Sequence, residues 1–170
     1  YAEVREHHIF VHTDANRGAG GLPCGIGGHG LLMLSGGLDS PVAGYMMARR
    51  GMKISAVHFE SPPYTSERAR QKVEKLARLV SRYSGKMTVF VVQFTDIQEH
   101  IRRECKEDLF TLIMRRFMLR IACDIAKKAK AGAIITGESL GQVASPTLQA
   151  IPVTEAAADI PVFRPCIGMD

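Results

Sequence analysis

The 170-residue sequence lacks the features that mark zinc-binding, disulfide-rich and membrane-spanning proteins. It has only four cysteines, and no two of them form the C-x-x-C pair of a zinc ribbon. Four are also few for a disulfide scaffold of this length, so we expect free or buried thiols. The apolar runs at 31–34 and 90–92 are far shorter than the roughly 20 residues that span a bilayer. No N-terminal run resembles a signal peptide, and we expect a cytoplasmic protein.

Charge and aromatic content limit the range of partners. Lysine and arginine total 22 against 17 acidic residues, and the net charge of +5 permits a nucleic-acid partner without requiring one. Tryptophan is absent, and no basic patch is interleaved with aromatic residues as in proteins that stack bases. Hydrophobic residues, at 46%, suffice for a core and exclude a disordered chain. The length fits one domain, or one domain with a fragment of another.

The first thirty residues differ in composition from the rest of the chain. Residues 1–13 alternate weakly, with apolar Val4, Ile9 and Val11, and predict one strand. Residues 14–30 include seven glycines, a density that predicts an irregular linker. Because a single strand is not stable by itself, we expect 1–13 to be the last piece of a preceding domain. The main domain then occupies residues 31–170.

From residue 31 onward, predicted strands alternate with predicted helices. Short apolar runs predict strands at 31–34, 53–59, 86–94 and 133–136, with the start of another at 162–163. Apolar residues at helical spacing predict helices at 39–50, 66–83 and 96–130, the last in one or two pieces. This alternation indicates an α/β fold, a Rossmann-like parallel sheet with helices on both faces. Ligands of such folds bind at the carboxyl ends of the strands.

The same spacing predicts which helical side chains face the sheet. A helix that packs on a sheet needs an apolar stripe along one side. The predicted stripes are Val42, Tyr45, Met46 and Met47 in the first helix, Val73, Leu76, Ala77 and Val80 in the second, and Leu109, Leu112, Ile113, Phe117, Ile121 and Ile125 in the third.

The most informative segment is Ser35-Gly36-Gly37-Leu38-Asp39-Ser40, between a predicted buried strand and a predicted helix. Its two glycines let the backbone turn sharply and approach a ligand closely. The loop amides, the helix N-terminus and the hydroxyls of Ser35 and Ser40 favour a bound anion. Asp39 would repel a bare phosphate, so its expected role is to hold Mg²⁺ or to orient the loop. The segment therefore suits a nucleotide pyrophosphate with its metal, although the Walker A pattern is absent.

This segment resembles the PP-loop of the ATP pyrophosphatase family, written S-G-G-x-D-S. The resemblance implies a PP-loop domain of the adenine nucleotide alpha hydrolase-like type, which adenylates a substrate oxygen and releases pyrophosphate. Further segments resemble, in order along nearly the whole chain, the tRNA 4-thiouridine synthetases, also called tRNA sulfurtransferases or the ThiI family. They are residues 18–23, 34–45, 58–69, 114–116, 136–145, 164–165 and 167–170.

The family resemblance implies ATP as the bound nucleotide and indicates the residues of its site. Asp39 is the implied catalytic residue, with Mg²⁺ as the metal it would contact, and no other metal ligand is assigned. The residues by themselves leave Phe59 open as a core aromatic and Arg115 as a solvent-facing helix charge. The implied ATP-binding residues are Met33, Leu34, Ser35, Gly36, Gly37, Asp39, Ser40, His58, Phe59, Arg115 and Gly137.

The resemblance also implies a reaction and its partners. ATP adenylates O4 of a uridine in tRNA with release of pyrophosphate, and persulfide sulfur then displaces AMP to leave 4-thiouridine. The implied partners are tRNA, a persulfide donor of the cysteine desulfurase type and, as an option, a second copy in a homodimer. Some relatives are linked to thiamine biosynthesis. Residues 1–13 would be the last strand of an RNA-binding THUMP region, and the PP-loop domain would be incomplete at its C-terminus.

Two other functions stay open. One is another PP-loop ligase with a small-molecule substrate. The sequence of residues 137–145 argues against this function. The other is a nucleotide-binding fragment without complete catalysis, because none of the four cysteines is assigned the transfer of sulfur. Pro146 favours the fragment, since it stands where the family usually has a glutamine that contacts nucleotide, and proline has neither that side chain nor an amide donor. Basic residues at 66–86 and 102–130 predict a mostly solvated face, part of which can bind phosphate backbone.

Overall fold

The computed structural model of the protein describes residues 1–14, 16–141 and 146–169. Part of the predicted segment 136–145 and the terminal Asp170 therefore lie outside the described residues. The strands are β1 (Ala2–Val4), β2 (Ile9–Val11), β3 (His29–Met33), β4 (Lys53–Glu60), β5 (Val89–Gln93), β6 (Ala133–Ile135) and β7 (Val162–Phe163). The helices are α1 (Asp39–Arg49), α2 (Glu67–Ser84), α3 (Thr95–Glu104), α4 (Glu107–Ala129) and α5 (Ala150–Glu155).

A parallel sheet in the order β5-β4-β3-β6-β7 occupies the centre of the fold. Leu32 of β3 pairs with Ala56 of β4 on one side and with Ile135 of β6 on the other. From β3 the chain winds outward through β4 to β5, and it then returns across the sheet to place β6 on the other side of β3. This reversal leaves a crevice between the carboxyl ends of β3 and β6, where α/β folds of this order bind ligands. The predicted Rossmann-like α/β fold is confirmed.

Alternate residues of the strands face two separate layers of helices. Leu32 and Ile54 pack on one face with side chains from α1 and α2, whereas Leu31 and Val57 pack on the other face with side chains from α4. Each of these four strand residues is fully buried. Because both faces are covered, the strands are apolar on both sides, as parallel strands usually are.

The helical stripes predicted from spacing are only partly right. In α2, the predicted Val73, Ala77 and Val80 are buried. In α1 and α4, however, small residues meet the sheet, and bulkier ones lie at the flanks. Val42 is 42% exposed and Phe117 is 40% exposed. The residues buried instead are Ala43, Gly44 and Ala48 in α1 and Leu119, Ala122, Cys123 and Ala126 in α4. Small side chains let a helix approach the sheet closely, a preference that apolar spacing by itself does not predict.

The prediction of one strand over residues 1–13 is wrong. The segment forms an antiparallel hairpin of β1 and β2, in which Glu3 pairs with Phe10. The hairpin reverses at the polar residues between the strands, where the amide of Arg5 donates to the carbonyl of His8 at 2.8 Å. Its apolar side chains face outward, with Val4 74% and Val11 78% exposed. The assignment of this segment to a preceding RNA-binding domain stays a prediction.

The glycine-rich segment is irregular as predicted, but it is fastened to the domain. His29 and Gly30 belong to β3, so the irregular part ends earlier than expected. The amides of Gly25 and Gly27 both donate to the carbonyl of Gly51, at 2.7 and 3.0 Å. Gly51 has a φ of +82°, a left-handed conformation that favours glycine. The linker is therefore hydrogen-bonded to the turn between α1 and β4 and packs over it.

Across residues 1–14, 16–141 and 146–169, no helix has both the length and the hydropathy to cross a membrane. The four cysteines are free thiols, as predicted, and Cys123 and Cys166 are buried.

Gly44 provides a test of the close approach between α1 and the sheet. A Cβ on Gly44 would lie 2.6 Å from Leu32 Cδ2 and 3.3 Å from Val80 Cγ1. We expect Gly44→Leu to lower the free energy of unfolding by about 2–3 kcal/mol, because the added side chain overpacks the junction of α1, α2 and β3. Urea unfolding of the purified chain measures the change.

Val42→Leu is the matched control, because it places the same side chain on the exposed flank of α1. We expect this variant to differ from the wild type by less than about 0.5 kcal/mol. Equal stability of the two variants would contradict the packing described for α1.

Candidate functional site

A cavity of about 410 Å³ opens at the carboxyl edge of the sheet. Its volume lies within the range of about 300–1,000 Å³ that small-molecule sites usually have. Nine of the predicted nucleotide-binding residues line it, while Gly36 and Gly37 belong to the same loop but not to the wall. The nine are Met33, Leu34, Ser35, Asp39, Ser40, His58, Phe59, Arg115 and Gly137. The fold thus brings together residues that are up to about a hundred positions apart in the sequence.

The loop between β3 and α1 is held by two serine hydroxyls that face each other. Ser35 Oγ and Ser40 Oγ are 3.1 Å apart, and the amide of Ser35 donates to Ser40 Oγ at 3.0 Å. The amide of Gly37 donates to Ser35 Oγ at 3.3 Å. Both hydroxyls therefore brace the loop across its base, which adds to the anion-donor role that the sequence predicts for them.

The N-terminus of α1 lies at the cavity edge, where Asp39 and Ser40 are lining residues. Leu38 stands at the capping position and makes no side-chain hydrogen bond to the helix. The first amides of a helix have no partner within the helix, and together with the helix dipole they attract anions. Asp39 in the first turn is the acidic residue of this end and lines the cavity. The arrangement suits an anionic group that arrives with a cation.

Gly137, at the end of β6, touches the start of α1. A Cβ at this position would lie 2.4 Å from the Ser40 amide nitrogen and 2.6 Å from the Asp39 carbonyl carbon. These are backbone atoms, so they cannot swing aside as the end of a side chain can. The sequence predicts a glycine here for close approach to a ligand. The structure shows that the close approach is to the loop and helix that form the opposite wall of the cavity.

His58 and Phe59, at the end of β4, form an apolar and aromatic part of the wall. The ring of Phe59 packs edge-on against Phe94, with centroids 5.5 Å apart, so it is both a core aromatic and a cavity residue. His58 is 8% exposed, and its Nδ1 donates to the carbonyl of Leu34 at 3.0 Å. Among the described residues, His58 Nε2 is buried without a hydrogen-bond partner. An unpaired buried polar atom of this kind costs about 1–3 kcal/mol.

Arg115 faces the cavity from α4, where its side chain is 23% exposed. It is therefore not the solvent-facing charge that the residues by themselves left open. Its guanidinium donates to Glu138 Oε1 at 3.3 Å. The same carboxylate accepts from Arg164 Nε at 2.8 Å through its other oxygen. Two arginines and one glutamate thus form an ionic cluster inside the cavity wall.

Part of the cavity wall was not predicted from the sequence. The additional lining residues are Met114, Met118, Leu119, Thr136, Glu138, Thr154, Val162 and Arg164. Thr154 comes from α5, a short helix that the sequence patterns did not predict. Pro152 lies in the first turn, where the missing amide is not needed. The sequence signal that could have located this helix is Thr147, whose hydroxyl and carbonyl both accept from the Ala150 amide.

Cys166 lies beside the loop but has the properties of a packing thiol. It is 3% exposed, and its Sγ is 3.7 Å from the backbone carbonyl oxygen of Asp39. Burial, and then the charge of Asp39, raise the pKa of the Cys166 thiol. Burial likewise is the main cause of the raised pKa of Cys123. Because the thiolate is the nucleophilic form, neither environment activates its cysteine.

The donor set at the loop fits a magnesium ion that is shared with a nucleotide. Within residues 1–14, 16–141 and 146–169, no group of three or more His, Cys, Asp or Glu side chains could hold a metal by itself. Asp39 is a single carboxylate in the cavity wall. Magnesium bound by one or two carboxylates together with substrate phosphates needs no larger protein cluster.

The strand order and the loop define the class of protein, an α/β domain of the PP-loop type. The family model described as "Thiamine biosynthesis protein (ThiI)" matches residues 25–170. The chain belongs to this ThiI family.

Curated relatives of this chain from several clostridia share one name. The chain is 52% identical over 171 residues to the "Probable tRNA sulfurtransferase" of Clostridium perfringens (strain 13 / Type A), covering 100% of the chain and 44% of the relative. It is 55% identical over 168 residues to the protein of that name in Clostridium acetobutylicum, covering 99% of the chain and 44% of the relative. The chain therefore spans less than half the length of these relatives.

Two solved structures resemble the fold over almost the whole chain. A 4-thiouridine synthetase, crystallised in complex with RNA and with bound ATP, superposes with a TM-score of 0.92 at 41% identity. The match covers 99% of this chain and 44% of that protein. PH1313 from Pyrococcus horikoshii Ot3 superposes with a TM-score of 0.64 at 20% identity, over 99% of this chain and 46% of that protein. The second likeness concerns the fold alone.

Gly137→Ala tests the contact between β6 and α1. We expect the variant to lose about 2–4 kcal/mol of stability, because the new methyl group collides with backbone that has to move. We also expect faster amide hydrogen exchange in residues 35–40, because the loop shifts with α1. Urea unfolding and hydrogen exchange measure the two effects.

Gly132→Ala is the control at the other end of β6, since a Cβ there would meet no atom within 4 Å. We expect this variant to exchange its loop amides at the wild-type rate. If Gly137→Ala behaved like Gly132→Ala, the contact would not determine the geometry of the loop.

Proposed function

We propose that this chain forms the ATP-binding and adenylating part of a tRNA sulfurtransferase. In the proposed reaction, O4 of a uridine in tRNA attacks the α-phosphorus of ATP and pyrophosphate leaves. The outer sulfur of a persulfide then attacks C4 of that uridine and AMP leaves; a second thiol cleaves the S–S bond of the adduct, which gives 4-thiouridine and a disulfide between the donor and that thiol. The observation that carries the proposal is the single cavity in which the PP-loop meets His58, Phe59, Arg115 and Gly137. The names of the relatives support the same reaction.

The wall of the cavity suits the two ends of ATP differently. The apolar side at Phe59 and Met33 is suited to a purine ring, and the buried Nε2 of His58 provides an acceptor for an N–H or O–H group. The opposite side, at the loop and the start of α1, offers backbone amides to phosphates. Adenine at the end of β4 and phosphates at the end of β3 would therefore place the α-phosphate between them.

Asp39 would hold Mg²⁺ at the phosphate end, with the remaining ligands supplied by phosphate oxygens and water. When bound, this ion neutralises charge that develops on the phosphates during adenylation. The residues of the chain orient the nucleotide, and Arg115 in the wall adds a fixed positive charge near it.

Lys72 of α2 is the proposed side-chain cation for the outer phosphates. The loop has no lysine of its own, unlike a Walker A loop. The stem of Lys72 lies against the loop, with Cδ 3.9 Å from the position that a Cβ on Gly36 would take. Its ammonium group can therefore reach a phosphate held over Gly36.

The partners beyond ATP follow from the same proposal. The 4-thiouridine synthetase that superposes on this chain was crystallised with RNA, which supports tRNA as the substrate. The basic residues of α2 and its flanks would contact the phosphate backbone. A persulfide donor, a homodimer and a cytoplasmic location stay predictions within this proposal.

A nucleotide-binding fragment without complete catalysis is the second candidate. No cysteine is among the described residues that line the cavity, so the sulfur-transfer step would need residues from elsewhere. The chain also spans only 44% of the relatives, which is consistent with that need. Pro146 is buried, but residues 142–145 before it lie outside the described residues, so the missing glutamine contact stays a prediction.

Asp39→Asn tests the adenylating function. We expect release of pyrophosphate from Mg-ATP to require tRNA in the wild-type chain and to fall at least a hundredfold in the variant. The amide keeps the shape of Asp39 but is a poor ligand for Mg²⁺. A coupled pyrophosphate assay, with and without tRNA, gives both rates, and calorimetric titration gives the affinity for ATP.

The outcomes separate the two candidate functions. Binding of ATP without release of pyrophosphate would favour the nucleotide-binding fragment. Absence of both binding and release in a folded wild-type chain would refute the PP-loop site. Release that does not need tRNA would favour a ligase with a small-molecule substrate.

Lys72→Ala tests the phosphate contact. We expect the affinity for ATP to fall about three- to tenfold and the affinity for AMP to stay unchanged, because only ATP has the outer phosphates. Lys75→Ala removes the same charge one turn along α2 and is the control. Equal loss in both variants would indicate a general effect of net charge rather than a contact.

A further inference from the structure

We infer that Glu138 is a positioning residue of the site, which holds Arg115 and Arg164 in place around the bound nucleotide. The inference rests on the proposed function and adds a residue to it. Glu138 follows the contact residue Gly137 at the carboxyl end of β6, so its backbone is anchored against α1. Its side chain lines the cavity together with both arginines.

Each carboxylate oxygen of Glu138 has its own arginine. Oε1 accepts from Arg115 Nη1 of α4 at 3.3 Å, and Oε2 accepts from Arg164 Nε, just beyond β7, at 2.8 Å. The hydroxyl of Thr136 donates to Oε2 as well, at 3.2 Å. The carboxylate of Glu138 thus connects Arg115 of α4 to Arg164 beside β7 at the carboxyl edge of the sheet.

The cluster is less exposed than a surface ion pair. The side chains of Arg164, Glu138 and Arg115 are 11%, 20% and 23% exposed. Hydrogen bonds between ionised groups are stronger than those between neutral groups, and the 2.8 Å bond from Arg164 has the length typical of that class. Long arginine side chains lose considerable freedom when they are held in this way. Held in advance, they need no further ordering when a ligand arrives.

A carboxylate in a cavity for a polyanion needs an explanation. By itself the charge of Glu138 opposes the binding of phosphates. Its benefit must therefore come through the groups that it touches, and the charged ones among these are the two arginines. A purely attractive site would instead leave this position neutral. The repulsion between Glu138 and the phosphates would affect KM and the affinity for ATP, whereas the orientation of the arginines would affect kcat. Measuring both constants therefore tests the role.

The outer arm of Arg164 provides an internal comparison. Arg164 Nη1 donates to Glu155 Oε2 at 3.1 Å, and Glu155 is 48% exposed and does not line the cavity. Glu138 and Glu155 therefore contact the same guanidinium from the inside and from the outside. Only the inner carboxylate also reaches Arg115.

The test compares Glu138→Gln with Glu155→Gln in the purified chain. The steady-state rate of pyrophosphate release at saturating tRNA gives kcat and KM for Mg-ATP. Calorimetry gives the affinity for ATP. For Glu138→Gln we expect kcat to fall about tenfold, whereas KM and ATP affinity stay within threefold of the wild type or improve. For Glu155→Gln we expect both constants to stay within twofold. Glu138→Asp should recover part of kcat, because the charge returns on a shorter side chain.

Several outcomes would overturn the inference. These are an unchanged kcat in Glu138→Gln, equal effects of Glu138→Gln and Glu155→Gln, or a loss of ATP affinity that accounts for the whole effect. If Glu138→Gln fails to fold, Arg164→Lys decides, since it keeps the charge but removes the Nε donor. A tenfold lower kcat at unchanged KM in that variant supports the inference, and wild-type values contradict it. A wild-type protein that neither binds ATP nor releases pyrophosphate would refute the proposed function itself.

Discussion

The contact between Gly137 and the backbone of Asp39 and Ser40 is the constraint on which the candidate site depends. It joins the end of β6 to the start of α1 without any intervening side chain. The two elements lie on opposite sides of the point at which the strand order reverses. With the junction closed at its base, the crevice stays open above it, between the PP-loop, α4 and the end of β4. A larger residue at 137 would move the loop that the site is built on.

Charge in the cavity is balanced rather than positive. Among the residues that the structure describes, its fully ionic wall residues are Asp39 and Glu138 against Arg115 and Arg164. In the proposed function, attraction for the phosphates would therefore come largely from backbone amides, from the dipole of α1, from Lys72 beside the loop and from an accompanying cation. The side chains mainly set direction, as in the bracing of the loop by Ser35 and Ser40. Such fixed dipoles and charges need little reorganisation when charge develops in a reaction.

Short-range patterns predicted the elements well and their faces less well. Buried apolar runs predicted β3, β4, β5 and β6, and the loop of residues 35–40 predicted the position of the candidate site. The inward faces of α1 and α4 were missed because small residues such as Ala43 and Ala122, rather than the largest apolar ones, meet the sheet. The hairpin at the N-terminus was missed because its turn has no glycine or proline signal. Both errors concern which segment packs against which, and spacing along one segment does not contain that information.

The sequence by itself determined the α/β class, the position of the loop and the family resemblance, because these depend on residues that are neighbours along the chain. Tertiary structure alone decided which distant residues share the cavity. Glu138 meets Arg115 and Arg164 only because α4, β6 and β7 converge at one edge of the sheet. It also decided that Gly137 contacts α1, and that Arg115 faces inward. Such contacts follow from the order and packing of the strands, which no local pattern specifies.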